Sequence, residues 1–203
     1  MNKFRTIIIS MTALCLLILP AAAMADDISD QLKQALKFYE EGKIAEALGE
    51  VDFAAAQLRQ KKAEMLGAVF PEAPEGYKAM KPQVESAGSG MLGGGISASR
   101  EYRAATGGSV TLKVVTDSPI LQSMAMMMSN PMFMQGGRNG KLVRISGHKA
   151  ILKERSETRA EIQTVVHSKA LVEVKVNRIE GASDVAKAFF KSIDLDKLGK
   201  LIK

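Results

Sequence analysis

Six of the twelve residues in "SMAMMMSNPMFM" (123–134) are methionine, in a chain of 203 residues without tryptophan. Thioether sulfur is a soft, neutral ligand, and in an oxidising compartment it is a donor suited to Cu(I). Met124, Met127, Met128, Met132 and Met134 offer three or four such sulfurs from a helix end and the loop after it. The same residues have a plainer reading. "PILQSMAMMM" sets Ile120, Leu121, Met124, Met127 and Met128 on one apolar stripe facing a sheet, and methionine is an adaptable core filler with good helix propensity. Met128, Met132, Phe133 and Met134 then suit a hydrophobic flap that contacts a protein or an apolar ligand, because flexible thioether chains adapt to varied surfaces. Copper motifs intersperse methionine with polar residues or histidine, so packing or contact outweighs metal: no cofactor is expected, and Cu(I) is the alternative.

Other chemistry is sparse. His148 in "SGHKA" and His167 at the end of "AEIQTVVH" are the only histidines, both at exposed-looking positions. A zinc site needs them to meet in space with a carboxylate such as Glu154 or Glu173. "GSGMLG" places Gly88, Gly90 and Gly93 in the G-x-G-x-x-G spelling, but that motif works between a strand and a helix N-terminus. Here "KPQVESA" makes a poor strand and "GISASREYR" reads as a strand, so the glycines read as an approach to a hairpin. No serine occupies a G-x-S-x-G elbow, and Glu40 with Glu41 falls on an exposed helical surface. Nothing in the sequence supports catalysis, which leaves a binding or accessory role in front and an enzyme of unknown class behind.

The N-terminus sets the compartment. Lys3 and Arg5, the apolar "TIIISMTALCLLIL" and the Ala23-Met24-Ala25 arrangement read as a secretory signal peptide over residues 1–25, cleaved after Ala25. The apolar run is shorter than the roughly 20 residues that span a bilayer, so no transmembrane segment is expected after cleavage. The expected location is the periplasm. Cys15 follows Leu14 inside the apolar run and reads as part of the signal. The remaining 178 residues therefore have no thiol for a disulfide or a metal. Their net charge is +4, a mild excess that reads as spread along the chain and makes nucleic acid an unsuitable partner. An envelope protein or apolar ligand fits better.

These residues must be positioned by a mixture of helices and strands. Ile28, Leu32, Ala35, Leu36 and Tyr39 share one helical stripe, Gly42 breaks it, and Ile44, Ala47, Leu48, Val51, Ala54, Ala55 and Leu58 resume it. The spacing predicts a helical hairpin over 26–70. After the connector "PEAPEG", the period changes: 96–103 and 109–116 read as a β-hairpin, and 142–147, 149–155, 161–167 and 170–179 as a meander. Helices are predicted near 119–129, 183–193 and 194–202, with Ser183 and Asp194 as N-caps. The fold class is α+β, with the hairpin packed on an antiparallel sheet, helices on one face, and an α+β domain over 71–203.

"ALKFYEEGKIAEALGEVDFAAA" resembles a single tetratricopeptide repeat through Ala35, Phe38, Tyr39, Gly42, Ala47, Val51 and Ala54. One such unit cannot bury its own faces, so the resemblance implies packing on the rest of the chain or on a partner, the former being favoured. "LRQKKAEML", "MLGGGISASREYR", "DSPILQSMAMMMSNP", "LVRISGHKAILK" and "IDLDKLGKL" are similar to a family of uncharacterised exported bacterial proteins. The order of sheet and helices also resembles the PsbP and Mog1 type of α+β domain, in topology alone. Neither resemblance implies catalytic residues.

Overall fold

The computed structural model describes residues 27–86, 95–129 and 140–202. The expected signal peptide therefore lies outside the described residues. Among the described residues, no helix is long and apolar enough to cross a membrane.

Helices α1 (Asp27–Glu40) and α2 (Ile44–Gly67) form the predicted hairpin. Its turn is set by Gly42, whose φ of 74° is open to glycine and strained for other residues. Lys43 N–H donates to the Phe38 carbonyl, and Gln31 Nε2 donates to Glu50 Oε2 at 2.6 Å, tying the two helices together.

The chain divides into two compact units at Ala54/Ala55, inside α2, rather than at the Pro-bearing connector after residue 70. The physical reason is burial. The second half of α2 places Ala63 and Leu66, both fully buried, in the same apolar cluster as the strands. α2 thus begins in one unit and ends as a core helix of the other.

In the second unit, eight strands among the described residues make one antiparallel sheet. They are β1 (Tyr77–Ala79), β2 (Gln83–Ser86), β3 (Ile96–Ala104), β4 (Ser109–Thr116), β5 (Lys141–Ile145), β6 (His148–Ser156), β7 (Arg159–Val166) and β8 (Ala170–Asn177). Their order is β1-β3-β4-β8-β7-β6-β5, with β2 also paired to β3. The α+β class and the β5–β8 meander match the sequence reading. β2 does not: "QVES" is a strand, carried by its pairing to β3, and four residues are too few for a periodicity to declare it. β3 is a strand, as read, and Gly88, Gly90 and Gly93 lie outside the described residues.

Alternation sorts the side chains by face. Val110, Leu112 and Val114 of β4, Val172, Val174 and Val176 of β8 and Ile162 of β7 point inward, to Phe189 and Phe190 of α4 (Ala182–Ser192) and Leu195 and Leu198 of α5 (Leu195–Leu201). Phe189 stacks edge-on to Tyr77 at 5.0 Å and lies 5.1 Å from Tyr102. On the opposite face, Val115 and Leu171 meet Leu121 of α3 (Ile120–Ser129).

Both predicted caps can be checked. Asp194 accepts from Lys197 N–H at 2.8 Å and caps α5. The cap of α4 is Gly181, and Ser183 instead donates to Glu154 Oε1 at 2.9 Å. An offset of two residues turns the hydroxyl away from the helix end and toward β6.

Candidate functional site

The methionine helix resolves into an inner and an outer side. Leu121 and Met128 are buried and Met124 packs half-buried beside Val115 and Leu171, an i, i+3, i+7 stripe. Ile120, Met126 and Met127 stay exposed, so Ile120 and Met127 do not belong to the sheet-facing stripe. A 3.6-residue period puts position 127 about 60° further round than the stripe can use. Among the proposed donors, Met124 and Met128 therefore face the sheet while Met127 faces away. Met132, Phe133 and Met134 lie outside the described residues.

The histidines are brought to one place. His148 starts β6 directly after the Ser146–Gly147 turn, and His167 occupies the turn between β7 and β8. Continuing the β6–β7 register from Ile151 opposite Gln163 sets His148 across from Val166, the neighbour of His167. Both histidines and Met128 line one cavity of about 210 Å³, together with Ala125, Thr164 and Ser168. No carboxylate lines it. Glu154 pairs with Lys141 at 2.8 Å, and that hydrogen bond, then the one from Ser183, holds its carboxyl below the usual range. Glu173 accepts from Gln163 at 2.8 Å. Among the described residues, no three of histidine, cysteine, aspartate and glutamate cluster around a common point. The carboxylate that a zinc site would need beside the histidines is thus missing from the described lining of this cavity, and the His167 ring lies against Gly199 of the last helix.

The loop that holds His167 is strained. Lys169 N–H donates to the Val166 carbonyl at 3.0 Å around His167 (φ 50°) and Ser168 (φ 57°), the pattern of a type I′ turn with neither central position glycine. Across the sheet end, Asp117 is also left-handed at φ 56°, where it accepts from Lys62 at 2.7 Å and Thr116 at 3.0 Å. Between these turns opens a second cavity of about 630 Å³, reached by Asp117, Gln122, Ser168 and Lys169. Strained, polar backbone concentrated at one sheet end is where functional sites are commonly built.

The first unit contributes a different surface. Its buried residues are Ala35, Ala47 and Ala54, all small. Its large apolar residues point outward: Leu32, Leu36 and Tyr39 on α1, and Ile44, Leu48 and Val51 on α2, each at 4-then-3 spacing and 45–65% exposed, with Phe53 at 52%. The division also corrects the reading of the charge as evenly spread. Residues 27–54 hold seven carboxylates and three lysines, a net charge of −4, while residues 55–203 hold 23 basic and 14 acidic residues, net +9.

Fold and surfaces define an α+β protein with an acidic, apolar helical hairpin and a basic antiparallel sheet unit. No protein-family model, curated protein or solved structure matches the chain.

Proposed function

We propose that this is an exported, non-catalytic binding protein of the cell envelope, whose hairpin docks a cationic amphipathic helix of a partner protein. The carrying observation is the exposed stripe of Leu32, Leu36, Tyr39, Ile44, Leu48 and Val51. Six large apolar side chains, each about half exposed, suit the apolar centre of an interface of about 800 Å² per partner. A single helical hairpin does not bury such a stripe by itself. The net charge of −4 around it selects a partner helix rimmed with lysine or arginine and disfavours a second acidic hairpin. The signal-like residues 1–25 support periplasmic delivery, which mass spectrometry of the secreted chain tests by finding Asp26 at its N-terminus.

The test uses the chain from Asp26 and two fluorescent amphipathic peptides, one Leu/Lys and one Leu/Glu. The Leu/Lys peptide binds, the Leu/Glu peptide does not, and Leu36→Glu with Leu48→Glu weakens binding at least about tenfold. Binding that ignores the double variant, or a dimer that the double variant dissolves, overturns the docking of a foreign helix.

A second reading is favoured by the shared cavity of His148, His167 and Met128: Cu(I) coordination by two imidazoles and a thioether. An anaerobic competition titration against a chromogenic Cu(I) chelator gives one-to-one binding that His167→Ala and Met128→Leu each remove. Equal binding by both variants excludes the site.

A further inference from the structure

Away from α3, the sheet face opposite the core carries the half-buried Thr111, Lys113, Gln163 and Glu173. At the strand ends far from α3, a cavity of about 410 Å³ is lined by Arg155, Arg159, Glu161, Lys175 and Asn177. Register explains the grouping. Glu161 of β7 stands opposite Lys175 of β8 and opposite Lys153 of β6, and Arg159 stands opposite Asn177. Arg155 follows Lys153 by two residues and so keeps its face, while the register shift between Glu154 and Ser156 sets Ser156 opposite Arg159.

The charges do not cancel. Glu161 is only 9% exposed and is bonded by Lys153 Nζ at 3.3 Å, with Lys175 across the other strand pair. Its single negative charge is thus answered by two ammonium groups before the two guanidinium groups are counted. The cavity keeps a positive excess inside a unit that is itself +9. Two guanidinium forks and an ammonium present more donors than one carboxylate accepts, whereas a tetrahedral phosphoryl dianion has the oxygens and charge to meet them.

We propose that this cavity binds a phosphoryl group, held by Arg155, Arg159 and Lys175, with the Asn177 amide adding a donor. The assignment is independent of the hairpin and of the histidine cavity. A small phosphate compound and a phospholipid headgroup share this chemistry, and two probes separate them. Inorganic phosphate is titrated calorimetrically into the chain from Asp26, and flotation is measured with vesicles of phosphatidylcholine containing phosphatidylglycerol or phosphatidic acid. Arg155 and Arg159 are exposed, so Arg155→Gln with Arg159→Gln leaves the fold intact by circular dichroism. That double variant weakens phosphate binding at least about tenfold, while Lys113→Gln on the same face does not. Flotation with anionic vesicles that is lost in the double variant, without binding of free phosphate, assigns the headgroup as source. Binding of neither probe, or equal losses in the double variant and Lys113→Gln, overturns the site and leaves only a diffuse positive field.

Discussion

Replacing His167–Ser168 with Asn–Gly separates what the β7–β8 turn costs from what it provides. Both residues sit at positive φ, 50° and 57°, in a two-residue hairpin turn whose geometry favours Asn-Gly. Left-handed backbone costs an L-residue with a Cβ about 1–2 kcal/mol, less for histidine than for a branched residue. Asparagine lowers that cost at 167 and glycine abolishes it at 168. Against this, glycine loses about 0.5–1 kcal/mol more conformational entropy on folding. The His167 ring also leaves its seat on α5, where a Cβ added at Gly199 would lie 3.0 Å from its Cε1. That ring belongs to an exposed residue, so its packing contributes little. The net expectation is stabilisation by about 1 kcal/mol, a rise in Tm of roughly 2–4 °C for a chain of this size. Urea denaturation followed by circular dichroism reads it, with Cu(I) titration of the same sample. Greater stability with lost Cu(I) binding means that the turn is held strained to present its imidazole. A stability equal to or below that of the parent chain refutes the strain argument, and shows that the ring on Gly199 matters more than the backbone.

Three further outcomes follow from the core and its titrations. Phe189→Ala removes a ring packed against Tyr77 and Tyr102 and lowers stability by about 3–5 kcal/mol, measured by urea denaturation. Gly108→Ala sets a Cβ 2.4 Å from the Arg178 carbonyl oxygen and from Ile179 Cγ1, both beyond the end of β8, so the strand must shift at a cost of about 1–3 kcal/mol; unchanged thermal unfolding contradicts that geometry. Burial pushes the Tyr102 hydroxyl, which donates to the Pro71 carbonyl at 2.7 Å, up to about 12. Because the folded chain then keeps a proton that the unfolded chain releases near pH 10, stability is full below pH 10. It falls by about 2 kcal/mol as the pH approaches 12. Tyrosinate absorbance shows this as a late titration step that Tyr102→Phe abolishes; a step near pH 10 for all tyrosines contradicts it.

The two-helix hairpin, the β3–β4 pair, the β5–β8 meander and the terminal helices were legible because each is a local matter. A 3.6- or 2-residue period, a glycine turn and an Asp194 cap act within a few positions of sequence, so the residues concerned announce them. β1 and β2 were not legible, since strands of three and four residues exist only through their pairing to β3. Nor was Ser183's use as a partner of Glu154, which is 29 residues away.

The candidate sites divide the same way. The methionine run stood out in the sequence, but the choice between Met128 inside and Met127 outside came from the sheet face that α3 covers. Composition gave a net charge for the whole chain and hid an acidic hairpin beside a basic sheet unit. His148 and His167, nineteen residues apart, line one cavity because antiparallel strands bring a strand start beside the next hairpin turn, and Arg155 joins Arg159 and Lys175 because β6, β7 and β8 are neighbours in the sheet. The sequence alone determined which residues are helical or extended and which are apolar, since those are short-range properties of backbone and side chain. Tertiary structure alone decided which polar groups share a cavity, because register and strand order join positions that no local period connects.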